Sequence, residues 1–242
     1  MDFYKKLSQY YDIIFPAGKL QLEFIKKYSS NRKTILDIAA GTGNYAMAFS
    51  KMGYKVDALE LDKDMIKILN DKNKKENANV KSIEMDMRSI DQLGKEKYEV
   101  IYCIGNSLVH LSDLEEINNF VKKAYNALTD NGIFITQVVN YDRILGKDIK
   151  NLPTIDKPDN GVKFVRKYNQ KDGRIIFTGE LFINEDSNIE KYNSTVSLYP
   201  LLSKDLDKIL ENSGFREWNF YGGFDEREYT IDSMATIVVA YK

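Results

Sequence analysis

Residues 35–46, ILDIAAGTGNYA, join a short apolar run to a glycine turn and then to a helix-forming segment. Gly41 and Gly43 can take backbone angles closed to other residues, and they leave room for a ligand against the main chain. A helix beginning there points its free N–H groups at that ligand. A plain connecting turn would use the same glycines, so nearby acids have to carry the argument further. Glu60 ends the next apolar run, about 20 residues beyond the turn, where a carboxylate can accept hydrogen bonds from both hydroxyls of a ribose. Asp86 lies just past a third run, placed to receive an adenine amino group. Asp37 sits inside the first run, where a carboxylate is costly to bury unless it meets a partner such as a ligand ammonium.

Two nucleoside ligands compete for this arrangement. Gly41 to Ala46 formally matches the G-x-G-x-x-A dinucleotide fingerprint. A pyrophosphate on the helix N-terminus, however, would be repelled by Asp37. S-Adenosylmethionine has an ammonium group, a sulfonium, a ribose and an adenine, in the order these residues could meet them. It is the expected cofactor, and a G-x-x-x-x-G-K-[ST] phosphate loop is absent from the sequence. A nicotinamide-dependent oxidoreductase and a non-catalytic S-adenosylmethionine-binding protein remain the alternatives.

The elements that would position these groups alternate in type. Strands are expected at 34–39, 55–61, 80–85, 99–104 and 133–139, with helices at 20–28, 44–52, 65–74 and 114–128 between or before them. Apolar strands separated by helices imply a parallel sheet covered on both faces. After about residue 142 the pattern changes to consecutive strands at 162–170, 174–184 and 190–198. A helix at 203–212 and two strands at 215–221 and 235–241 complete the chain. The expected fold is therefore α/β and Rossmann-like: a seven-stranded, mostly parallel sheet with helices on both faces and an antiparallel last strand. A small antiparallel β lid is inserted after the fifth strand. Residues 1–142 and 201–242 would form the cofactor-binding domain, and 143–200 the lid over the substrate site.

Composition removes several classes of function. The 242 residues are 43% hydrophobic and 29% charged, as in an ordinary globular protein. A formal net charge of −1 offers no field to attract nucleic acid or an anionic membrane, so neither is expected as a partner. No apolar stretch approaches the roughly 18 residues of a membrane span. The single cysteine, Cys103, reads as a buried strand residue, excludes an intrachain disulfide and fits a reducing, cytoplasmic setting. With one histidine and one cysteine, a His/Cys-rich zinc site cannot be assembled, and no metal is expected.

Over nearly its whole length the sequence resembles the class I S-adenosylmethionine-dependent methyltransferases. Residues 35–43 match that class's first motif, VDALELDKDMI (56–66) its second strand and acid, and MDMRSI (85–90) its adenine-contacting motif. The resemblance implies cofactor contacts from Asp37, Ala39, Gly41, Gly43, Glu60, Leu61, Asp86 and Met87. Ala39 and Ala40 replace the glycine and cysteine common in the motif, and both are small enough to admit the cofactor. YEVIYCIGNSLVHLSD (98–113) and VNYDRIL (139–145) are similar to the glycine and sarcosine N-methyltransferase group. By that resemblance Ile104 and His110 flank the adenosine and Met65 packs on the adenine. Tyr11 covers the methionine portion, and Lys19 pairs with its carboxylate. His110 as an interior histidine or a helix cap is the competing reading.

The acceptor end is less determined. Asn106, Asn140 and Tyr141 are the polar groups expected around it, orienting the lone pair of a nucleophile. The glycine-methylating enzymes carry an arginine where this chain has Val139. Arg143, Arg166 or Arg174 could replace it, and the sequence does not choose among them. The expected function is methylation of a small-molecule acceptor, on an amine nitrogen, by a monomer or homodimer.

Overall fold

The computed structural model describes residues 3–185 and 188–242. Two amphipathic helices open it, α1 (Phe3–Ile14) and α2 (Lys19–Tyr28). There follow β1 (Thr34–Ile38), α3 (Asn44–Lys51), β2 (Lys55–Glu60), α4 (Lys63–Lys75), β3 (Val80–Glu84) and β4 (Tyr98–Cys103). Next come α5 (Leu114–Ala127), β5 (Leu128–Val139) and α6 (Tyr141–Gly146). The strands β6 (Asn151–Lys157), β7 (Val162–Lys171), β8 (Arg174–Glu185) and β9 (Asn188–Leu198) run consecutively. Then α7 (Ser203–Ser213), β10 (Glu217–Tyr221) and β11 (Ala235–Tyr241) finish the chain.

The first sheet has seven strands in the order β10-β11-β5-β4-β1-β2-β3. The pairs from β5 to β3 are parallel, and β11 is antiparallel to both its neighbours. The central strands β1 and β4 are almost wholly buried, because helices cover both faces and leave no solvent side to alternate with. Chain order reverses at β1, which lies between β4 and β2. In such sheets the crevice outside the carboxyl ends of the strands at this switch point receives ligands.

Local sequence fixes the helix starts on that edge. Asp62 caps α4 by accepting from the Asp64 and Met65 amides, and Asp113 caps α5 by accepting from Glu116 N. The 128–132 segment, a turn by its sequence, is instead a bulge within β5. Tyr98 faces Leu128 while Val100 faces Ile133, and Asn131 takes φ 61°.

The second sheet is antiparallel, in the order β6-β7-β8-β9. Its first strand was not evident from sequence, since Pro153 removes a donor and the residues are mostly exposed; both features suit an edge strand. The inward positions of β7 alternate as Val162, Phe164, Arg166 and Tyr168, and the three apolar ones are buried. Helix α1 packs on this sheet, with Phe164 near the rings of Phe3 and Phe15 at 6.4 and 6.0 Å. It also reaches the first sheet's glycine turn: Thr42 donates to Asp12 Oδ1, and Lys72 Nζ lies 2.8 Å from Asp12 Oδ2. Where the chain leaves and re-enters the first sheet, Asp142 Oδ2 accepts from Ser203 N at 2.8 Å and from the Tyr229 hydroxyl at 3.0 Å.

Candidate active site

Two adjoining cavities of about 550 and 710 Å³ open at the carboxyl ends of β1, β2 and β4. Tyr11, Ala39 and His110 line both. The first also contains Asp37, Ile104 and Asn106, and runs up to the inner face of the second sheet. The second contains Gly41, Glu60, Leu61, Met65, Asp86 and Met87.

Asp37 is buried near the end of β1, and its Oδ2 has no hydrogen-bond partner. Burial pushes its pKa up to about 8; the Tyr102 hydroxyl and the Ala46 amide oppose that rise, and the Glu60 charge adds to it. A buried carboxyl with one unpartnered oxygen on a cavity fits a cationic ligand group. Glu60 is held differently. Its Oε2 accepts from Gly41 N at 2.8 Å, and its Oε1 from Leu61 N and Asp62 N at 2.8 and 2.9 Å. The carboxylate is thereby fixed across the glycine turn, with an acceptor site on Oε2 remaining for a ribose hydroxyl.

The turn itself leaves little space. Gly41 has φ 58°, and a Cβ there would lie 3.0 Å from the Tyr11 ring. Gly43 has φ 78° as the residue before α3, and its missing Cβ faces Leu69, 2.7 Å from Cγ, outside both cavity linings. Ala39 takes φ 56°, which explains why the class motif carries glycine at this position. Asp86 accepts from Arg88 N and Nη2 at 2.8 and 2.6 Å, and the Arg88 guanidinium holds its carboxyl below the usual range. Burial lowers the pKa of His110 and favours the neutral ring; burial raises that of Tyr11, with Glu60 and Asp37 adding to the effect. Lys19 lies outside both linings, with its side chain 87% exposed and 3.7 Å from Glu23.

The acceptor-side residues divide. Asn106 lines the first cavity in a left-handed conformation, φ 72°, which asparagine tolerates better than most residues. Its Oδ1 accepts from Val139 N at 2.9 Å, and its Nδ2 donates to the Tyr141 hydroxyl at 3.1 Å. Tyr141 is fully buried behind it and lines neither cavity. Asn140 is also fully buried and lines neither. It caps α6 through Arg143 N, and its Nδ2 donates to the carbonyls of Thr230, Ile231 and Ser233 at 3.2, 3.1 and 3.0 Å.

Sequence reasoning passed over other lining groups. Gln137 accepts from Gly105 N at 2.8 Å, and a polar residue inside the apolar run IFITQVV was the available signal. Asn44, Tyr45 and Tyr168 line the first cavity too. Of the three arginines left open, only Arg166 does so. Among the described residues no cluster of three His, Cys, Asp or Glu side chains could hold a metal ion, and no helix is long and apolar enough to cross a membrane.

Comparison with known proteins agrees with this geometry. A methyltransferase domain model matches residues 35–132. The chain is 26% identical over 226 residues to a glycine/sarcosine N-methyltransferase from Aphanothece halophytica, covering 93% of this chain and 81% of that one. Its fold matches an S-adenosylmethionine-dependent methyltransferase from Clostridium acetobutylicum with a TM-score of 0.82 at 16% identity, over 98% of both chains. An amino pentose methyltransferase from Micromonospora echinaspora with S-adenosylmethionine bound gives 0.72 at 15% identity, over 100% of this chain and 97% of that one. Motif, switch-point cavity and relatives converge: residues 35–132 are a methyltransferase domain, and the chain is an S-adenosylmethionine-dependent methyltransferase enzyme.

Proposed function

We propose that the enzyme methylates an amine nitrogen of a small molecule. The observation that carries this reading is the composition of the first cavity. It joins the cofactor-facing Asp37 to Asn106 beneath an apolar and aromatic wall, and His110 is its only histidine. A neutral amine needs no strong base, only orientation and exclusion of water. Bound S-adenosylmethionine would supply a methyl carbon activated by its sulfonium, so that the amine lone pair could form a C–N bond as the C–S bond breaks, with the proton of the product lost to water.

Asp37 would hold the cofactor ammonium, Glu60 the ribose and Asp86 the adenine amino group. Gly41 and Ala39 would admit the ligand to the main chain, with Gly43 shaping the turn. Tyr11, Ile104 and His110 would enclose its middle, and Leu61, Met65 and Met87 its adenine. Asn106 would face the acceptor. Tyr141 and Asn140 are positioning residues: Tyr141 fixes the Asn106 amide, and Asn140 anchors the end of β5 beside the Val139 N–H that holds Asn106 Oδ1. Residues 143–200 would act as the lid, since Leu152, Phe164, Tyr168 and Phe177 close the cavity from the second sheet.

The glycine/sarcosine N-methyltransferase and the amino pentose methyltransferase both support a small acceptor. A panel of primary and secondary amines, assayed for S-adenosylhomocysteine and for the methylated amine, tests the proposal. Transfer to an amine that Asn106→Ala slows at least tenfold is expected. Transfer confined to hydroxyl or carbon acceptors would overturn it.

A further inference from the structure

We propose that Arg166 is the anion receptor of the acceptor site, and that the natural acceptor is an amine with an apolar, ring-sized body and a carboxylate. This rests on the amine-methylating function proposed above. Arg166 occupies an inward position of β7, between the buried Phe164 and Tyr168 on the same face. A strand's inward positions are ordinarily apolar, and a charge placed there is costly unless it is matched. Arg166 is not matched. Its Nη2 donates to the Pro153 carbonyl at 2.6 Å, its Nε is buried with no partner, and it makes no ion pair among the described residues.

The other two candidate arginines are placed elsewhere. Arg174 donates to the Ser112 carbonyl and to Ser197 Oγ, and neither it nor Arg143 lines a cavity. Among the described residues lining the first cavity, Arg166 is the only cation and Asp37 the only carboxylate.

The anion that Arg166 awaits is not the carboxylate of the cofactor. That group is bonded to the same carbon as the cofactor ammonium, so a cation holding it would stand close to Asp37. Asp37 stands near the end of β1 in the first sheet, whereas Arg166 stands on β7 of the second, and no ion pair joins them. The two groups therefore serve different ends of the cavity. Around Arg166 the wall is made of Leu152, Phe164, Tyr168, Phe177, Val196 and Leu198. Glycine or sarcosine would leave that surface uncovered, whereas an aryl or alkyl body fills it. Guanidinium suits a carboxylate because its donors match both oxygens.

The test uses the whole protein saturated with S-adenosylhomocysteine and titrated calorimetrically with L-phenylalanine, L-phenylalaninamide and glycine. The first two share a body and differ in the carboxylate. We expect phenylalanine to bind about tenfold to a hundredfold more tightly than its amide, and more tightly than glycine. Arg166→Gln should erase the acid-over-amide preference, and Arg166→Lys should keep part of it. S-Adenosylhomocysteine itself should bind Arg166→Gln as it binds the native protein. Equal or absent binding of acid and amide, or a preference that survives Arg166→Gln, overturns the assignment. A parallel loss of S-adenosylhomocysteine affinity also overturns it, by giving Arg166 to the cofactor. If uncharged amines are methylated with no preference for acids, this inference fails while amine methylation stands. If no amine is methylated but acids bind through Arg166, the amine reading of the acceptor is overturned while Arg166 stands as the anion receptor.

Discussion

Asp37→Asn should flatten the pH dependence of cofactor binding. With the Asp37 pKa pushed up to about 8, about a tenth of the empty protein carries the carboxylate charge at pH 7. Binding an ammonium group must then expel a proton, and affinity climbs with the charged fraction. That fraction grows from about 1% at pH 6 to about a quarter at pH 7.5, so affinity should rise roughly twentyfold across the interval. The ligand ammonium stays charged until about pH 8, which bounds the window above. Titration calorimetry in two buffers of different ionisation enthalpy should count nearly one proton released per cofactor at pH 7, and none for Asp37→Asn. The same carboxyl governs the empty protein's stability. Its folded pKa is raised, so its contribution is fully present below about pH 4 and is lost as pH rises toward about 8. Asp37→Asn should remove that decline, gaining stability at pH 8 relative to the native chain. An affinity independent of pH in the native protein, with no proton released, would refute the reasoning.

Other substitutions separate binding from folding. Glu60→Gln sets an amide donor against the backbone amides that Glu60 now accepts, and cofactor affinity should fall about tenfold to a hundredfold by calorimetry. Ala39→Gly relieves a left-handed alanine, and urea denaturation should show a gain of about 0.5–1 kcal/mol; a loss would mean the turn is not strained. Asn140→Ala strips the donor from three loop carbonyls and uncaps α6, so the same denaturation should register a loss of about 3 kcal/mol or more.

Much of the cofactor half was legible in the sequence because its determinants are local. The β1 run, the glycine turn and the acid ending β2 lie within a few dozen residues, and parallel β-α-β geometry brings them together without further information. The acceptor half depends on distant pairings. Which β7 residues face inward is decided by the register of the second sheet, so Arg166 could not be chosen over Arg143 or Arg174 from spacing alone. Asn140 reads as a candidate substrate contact until the 230–233 loop, about ninety residues on, is seen to take up its amide. Helix α1 was hidden by its mixture of tyrosines and lysines. Its Lys6 is buried, so the apolar stripe is broken in sequence although the helix is packed in space.

Asp142 ties the departing chain at α6 to the returning chain at Ser203, so the second sheet leaves and re-enters the first sheet's fold at one point of the chain. A module attached in this way can drift in its strands without disturbing the grip on the cofactor. Acceptor range can then diversify across descendants of one scaffold while the methyl donor stays the same.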